Sequence, residues 1–324
     1  MPVRFLDHRF ILVTGKGGVG KSTVAATLAL AAARRGKRVL VCELKTAERI
    51  SRLLGAPPVG TEIRRVAPGI DAVNMTPASA LREVGLLKLR LKTLYRLTFE
   101  NRVVADFLRG IPGLPELLLL GKCFFHEQER DPATGQPRWD LILVDAPATG
   151  HGIPFLRIPK VIVELFGDSP LAREAREIQA LLEDPERTSL SLVSLPEELP
   201  TAEALALKAQ VDELLRMPTG FLFINQVLLP LLDPAQAEQL DLLREQLATA
   251  DGPVDPRLSA LLGVGCSWCR RLRQQRPYLE RLTGLSGMPC ILLPRLFATA
   301  LGPAEIQHLA SHLAARLDEA EGAR

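Results

Sequence analysis

The ten residues TGKGGVGKST, from Thr14 to Thr23, constrain this chain more than any other stretch. Through Gly15, Gly20, Lys21 and Ser22 they meet the spacing G-x-x-x-x-G-K-[ST]. An apolar run, RFILVTG (Arg9 to Gly15), leads into them, and a helix-forming run, KSTVAATLALAAARR (Lys21 to Arg35), leads away. Glycines let the backbone curl until several N–H groups face one point, and the start of the helix adds partial positive charge there. A loop of this kind holds phosphate. The expected nucleotide contacts are Gly15, Lys16, Gly17, Gly18, Val19, Gly20, Lys21, Ser22 and Thr23. Lys21 is expected to reach the β- and γ-phosphates of ATP, and the Ser22 hydroxyl to ligate Mg²⁺.

Beyond the loop, apolar strand candidates alternate with helical patterns, which predicts an α/β fold of the P-loop NTPase kind, a mostly parallel sheet flanked by helices. The strand candidates are Phe10 to Thr14, Arg38 to Glu43, Asp140 to Asp145, Ser189 to Leu195, Phe221 to Asn225 and Cys290 to Leu293. The first helix stops at Gly36 with Arg34 and Arg35 in its last turn, where cations complement the helix dipole. Another begins DPAQAEQLDLLREQL, with Asp233 as N-cap and Pro234 in the first helical position. Two leucine-rich segments, roughly 75–136 and 159–187, do not fit a minimal alternating sheet. They are expected to form a helical subdomain inserted beside the nucleotide core of a single domain spanning 1–324.

Composition narrows the partners. With 47% hydrophobic and 24% charged residues the chain is an ordinary globular sequence, and a net charge of +3 with no long basic tract argues against nucleic acid. The first apolar run opens into glycines rather than a cleavage site, and ELLLLGKCFF is interrupted by Lys122, so a soluble, cytoplasmic protein is expected. Five cysteines in a long chain without an export signal make a disulfide framework an unfavoured reading.

The pattern K-G-G-x-G-K-[ST] resembles the deviant Walker A loop of the MinD, ParA, nitrogenase iron protein and ArsA-type ATPases. In that class the additional lysine, here Lys16, crosses a dimer interface to the facing nucleotide, so the resemblance implies a nucleotide-sandwich dimer. Further along, WDLILVDAPATGHGIPFLRIP ends a strand in Asp145, the place for a carboxylate that holds Mg²⁺ through its water shell. DAPATGHG is similar to the switch II of ArsA-type arsenite-pump ATPases and of the Get-pathway ATPases that target tail-anchored proteins. IPGLPE and SLPEELPTAEAL resemble two further elements of that family. FLFINQVLLP resembles its adenine-side strand end, which implies that Asn225 reads the base. Lys16, Lys21 and Asp145 are thus the expected catalytic set.

CSWCRRLRQQRPYLERL is similar to the C-x-x-C run of the targeting ATPases. Cys266 and Cys269 supply two thiolates where tetrahedral Zn²⁺ takes four ligands, so a zinc ion shared across a dimer is one reading. Metal-free cysteines and a redox pair are the others.

One position departs from the family. Its switch I reads D-P-A-H after the second strand, and RVLVCELKTAER laid on it from Arg38 puts Lys45 on the aspartate and Glu48 on the histidine. A charged lysine cannot accept a proton from water, although it can neutralise phosphate. Three readings follow: a slow ATPase using Glu43 or Glu48, a subunit that binds ATP without hydrolysing it, or one half of a heterodimer with a paralogue whose switch I is complete. A homodimer stays open beside that heterodimer. The family's role implies a hydrophobic client helix or membrane-protein partner. The leucines of VGLLKLRLKTLYRL (Val84 to Leu97) either line a client groove or form plain core. An arsenite-pump role is less favoured, since Cys123 stands alone in its segment. A MinD-like membrane switch is weaker still, because the acidic tail lacks a basic amphipathic face.

Overall fold

All six apolar runs read as strands are strands in the computed structural model, which describes residues 4–44, 48–80, 113–249 and 255–322. They are β1 (Phe10–Gly15), β2 (Val39–Leu44), β5 (Leu141–Asp145), β6 (Thr188–Ser194), β7 (Thr219–Val227) and β8 (Cys290–Pro294). Two more were not anticipated, β3 (Arg64–Ala67) and β4 (Ile70–Met75). The sheet runs β3-β4-β2-β5-β1-β6-β7-β8, with β3 antiparallel to β4 and every other neighbouring pair parallel. β1 therefore lies inside the sheet between β5 and β6, and all six of its residues are buried.

Alternate residues of each strand feed two cores, as the pleat requires. On one face Ile11, Val13, Val41 and Leu143 meet Val24, Ala25 and Leu28 of α1 (Lys21–Arg34), with Ile306, Leu309 and Leu313 of α9 (Pro303–Gly322) closing the layer. On the other face Phe10, Leu12, Leu40, Ile142 and Val144 are covered by α3 (Leu114–Gln128), α4 (Thr149–Phe166), α5 (Pro170–Glu183) and α6 (Glu198–Leu214). A single turn, α2 (Ile50–Leu53), follows β2. Further along, α7 (Pro234–Ala248) and α8 (Pro256–Leu285) form a hairpin. The N-cap expected at Asp233 is a full capping box: its side chain accepts from the Gln236 N–H, and Gln236 returns the bond.

Met75, taken as the first residue of an inserted segment, closes β4 instead and is fully buried. Residues 81–112, which include the leucines of Val84 to Leu97, lie outside the described residues. Within the described remainder, Leu114–Gln128 form α3, whose Leu117, Leu119, Leu120 and Cys123 pack into the sheet core. The second segment supplies the end of α4 and all of α5, whose Ala175, Ile178, Leu181 and Leu182 enter the same core. A salt-bridged Glu127, buried at the end of α3, ties this layer to the sheet through Arg9 and Arg187.

Leu120 is 1% exposed between α3 and the sheet, and Leu261 on α8 is 70% exposed. Leu120→Ala is expected to cost about 2–5 kcal/mol through lost transfer energy and a residual cavity. Leu261→Ala should stay within about 0.5 kcal/mol. Urea unfolding of the two variants beside the parent chain measures the difference.

Candidate functional site

The carboxyl ends of β1, β2, β5 and β7 converge where α1 begins, as expected for ligand binding in an open parallel sheet. Two glycines in the loop have no substitute. A Cβ on Gly15 would lie 2.3 Å from the Val193 carbonyl oxygen of β6. Gly20 caps α1 in the left-handed region at φ +93°, where its Cβ would sit 2.3 Å from Asn225 Nδ2.

Ser22, the second residue of α1, donates its hydroxyl to Asp145 Oδ2 at 2.6 Å. Asp145 is the last residue of β5 and 1% exposed, and its Oδ1 has no hydrogen-bond partner among the described residues. Burial raises the Asp145 carboxyl above its ordinary value, against the Ser22 hydrogen bond and the charges of Lys21 and Arg49. Burial also lowers the Lys21 ammonium, with Asp145 opposing and Arg49 reinforcing the shift. Lys21 Nζ rests on the Lys16 carbonyl at 3.1 Å, inside its own loop.

Next to Asp145 stands a second acid. β2 and β5 are parallel with Glu43 in register with Asp145, so the two side chains leave the same face of the sheet, the face covered by α1. Glu43 is fully buried, and its Oε1 accepts the N–H groups of Arg49 (2.7 Å) and Ile50 (3.2 Å), which start α2. Its Oε2 is buried without a partner among the described residues. Burial lifts this carboxyl from 4.5 to about 7, partly offset by those two N–H bonds and reinforced by Asp145 and Glu48. Glu48 is committed elsewhere: it accepts from Ser51 Oγ at 3.2 Å and from the N–H groups of Val59 and Gly60.

The structure brings the loop, Lys21, Ser22, Asp145 and Asn225 together. Asn225 is 4% exposed and spends one amide hydrogen on the Val19 carbonyl at 2.9 Å, bracing the loop. It lies at an irregularity in β7, where the next residue, Gln226, has φ +56°. Lys16 reaches a partner the sequence did not suggest, Glu203 on α6, at 2.7 Å. Arg49, whose charge acts on both Lys21 and Asp145, is another addition that no motif marks. Lys45 lies outside the described residues.

Cys266 and Cys269 sit apart from this cluster, on α8. They are 2% and 4% exposed, with Cys266 Sγ 3.9 Å from the Leu240 carbonyl of α7. No cluster of three or more His, Cys, Asp or Glu suited to a metal occurs among the described residues. By contrast, an unpartnered Asp145 oxygen beside the Ser22 hydroxyl fits Mg²⁺, a hard cation that takes oxygen ligands. No helix among the described residues is long and apolar enough to cross a membrane.

Two outcomes follow from this geometry. Gly20→Ala forces a side chain into the left-handed region and against Asn225, so affinity for a fluorescent ATP analogue is expected to fall at least about tenfold. The second concerns pH. With its carboxyl raised to about 7, Glu43 keeps a proton in the folded chain that the unfolded chain loses near 4.5, so stability falls as pH rises through that window. Denaturant titrations from pH 4.5 to 8 without nucleotide should show Glu43→Gln removing up to roughly 3 kcal/mol of that fall.

Known proteins are similar to this chain in sequence. The family model described as anion-transporting ATPase matches residues 8–170. The chain is similar to ATPase BagA of Mycobacterium tuberculosis, 31% identical over 268 residues that cover 78% of this chain and 73% of that protein. It is 29% identical over 280 residues to the arsenical pump-driving ATPase of Acidiphilium multivorum, covering 75% of this chain and 44% of the pump ATPase. To ATPase GET3 of Kluyveromyces lactis it is 27% identical over 172 residues, 50% of this chain and 49% of that one. Loop, sheet and relatives agree, and the chain belongs to the anion-transporting, ArsA-type family of ATPases.

Proposed function

We propose that this chain is one subunit of a nucleotide-gated dimer in which binding of ATP with Mg²⁺ closes two P-loop faces on each other. Closure would then reshape the helical segments beside the sheet to hold a hydrophobic client helix or a membrane-protein partner. The observation that carries the proposal is the Ser22 hydroxyl on Asp145, with the second Asp145 oxygen unpartnered among the described residues. In this reading the loop N–H groups and Lys21 hold the phosphates, and Asn225 stands on the adenine side. Ser22 and Asp145 would hold Mg²⁺, which when bound would neutralise charge on the phosphates. Lys21 gives up the Lys16 carbonyl to reach them.

Of the two acids near switch I, the contacts support Glu43 over Glu48. Both Glu48 oxygens are engaged by Ser51 and by the turn at Val59 and Gly60. Among the described residues Glu43 keeps one oxygen without a partner beside Asp145, and burial raises its carboxyl to about 7, which suits a group that takes a proton from water. The preferred reading is therefore a slow ATPase with Glu43 as the substituted acid. The competing one, a hydrolysis-defective subunit in a heterodimer with a complete paralogue, draws on Glu43 Oε1 being fixed by the N–H groups of α2.

Phosphate release by the purified chain tests both. Lys21→Ala should lose nucleotide binding, and Glu43→Gln should lower turnover at least about tenfold with little change in ATP affinity, the signature of a group acting on the reaction rather than on binding. A silent parent that Lys45→Asp awakens would instead establish the hydrolysis-defective reading. Sedimentation with and without Mg·ATP tests the dimer, and an unchanged profile would count against it.

A further inference from the structure

Lys16 is doubly engaged in the free subunit. Its carbonyl accepts the Lys21 ammonium at 3.1 Å, while its own Nζ lies 2.7 Å from Glu203 Oε1. The two partners are 187 residues apart in sequence and belong to different layers: the loop leads into α1 on one face of the sheet, and α6 packs on the other through Ala204, Leu207 and Val211. Glu203 does not owe its place to the loop. The start of α6 is fixed by Ser194 Oγ on the Pro200 carbonyl at 3.0 Å and by the Thr201 N–H on the Glu197 carbonyl at 3.0 Å, with Thr201 fully buried.

A lysine committed to a carboxylate of its own subunit is not available to the phosphates of another. We propose that Glu203 is a positioning residue for Lys16: it holds the ammonium back in the free subunit and yields it when a facing, nucleotide-loaded subunit presents phosphate. This inference rests on the dimer reading above.

Magnitude favours a releasable hold over a fixed anchor. The Lys16 and Glu203 side chains are 26% and 36% exposed, and partly exposed pairs shift an equilibrium only a fewfold. A phosphate group bearing more charge, placed beside oriented N–H groups, outcompetes a single carboxylate under those conditions. Arrival of the subunit's own nucleotide adds to the effect, because Lys21 leaves the Lys16 carbonyl to meet the phosphates and frees the backbone that carries Lys16.

Glu203→Gln keeps the side chain's size and removes its charge. Amine-reactive labelling of the full chain without nucleotide, read by mass spectrometry, should show Lys16 modified about two- to fivefold faster in this variant than in the parent. Asp212→Asn is the control. It frees Lys208, paired with Asp212 at 2.5 Å on the same helix, and should speed labelling there while leaving Lys16 unchanged. In sedimentation with a non-hydrolysable ATP analogue and Mg²⁺, Glu203→Gln should reach half-dimer at a protein concentration lower by about the same factor. Equal Lys16 labelling in Glu203→Gln and parent overturns the hold, whatever sedimentation shows. If labelling rises but the parent never associates with nucleotide, the dimer reading fails while the Glu203 contact stands.

Discussion

Two carboxylates end neighbouring parallel strands on the same face, and the surrounding site is arranged to tolerate them. Register fixes Glu43 beside Asp145, and burying such a pair without compensation is costly. Compensation comes from several directions at once. The Ser22 hydroxyl and the charges of Lys21 and Arg49 act on Asp145, while the first N–H groups of α2 act on Glu43. Among the described residues one oxygen on each acid remains without a partner, and the one on Asp145 makes the place suited to a cation and a nucleotide.

Much of the fold could be read from the chain because its central strands are nearly continuous apolar runs, the pattern of strands buried on both faces. β3 and β4 were missed for the converse reason. β4 reads IDAVNM, with Asp71 and Asn74 interrupting it, and β3 begins with two exposed arginines. Asp71 is explained only by tertiary partners, the indole N–H of Trp139 at 2.9 Å and Arg65 at the sheet edge. In the site, the loop and the Asp145 strand end were legible because each is a local pattern. Glu203 was not, since its partner lies 187 residues away and its own helix gives no sign of it. Burial of Cys266 and Cys269 was equally hidden, being set by how α7 lies over α8.

The departure at position 45 also takes a different form once β2 is seen. Glu43 is held in a strand between β4 and β5 and roofed by the start of α2. On the proposed reading, an acid at this point is already in place before nucleotide arrives and cannot be withdrawn by a moving switch. Control over turnover would then fall to groups that do move, the two lysines of the loop.

The interior position of β1 has a consequence for how nucleotide leaves. Strands at the rim, β3 and β8, have one neighbour each, while β1 is clasped by β5 and β6 and covered on both faces. Partial opening of a protein starts at such rims and reaches its most enclosed strand last, so the footing of the loop survives fluctuations that fray the edges. Exchange of nucleotide therefore belongs to the time regime of loops and side chains rather than to that of unfolding.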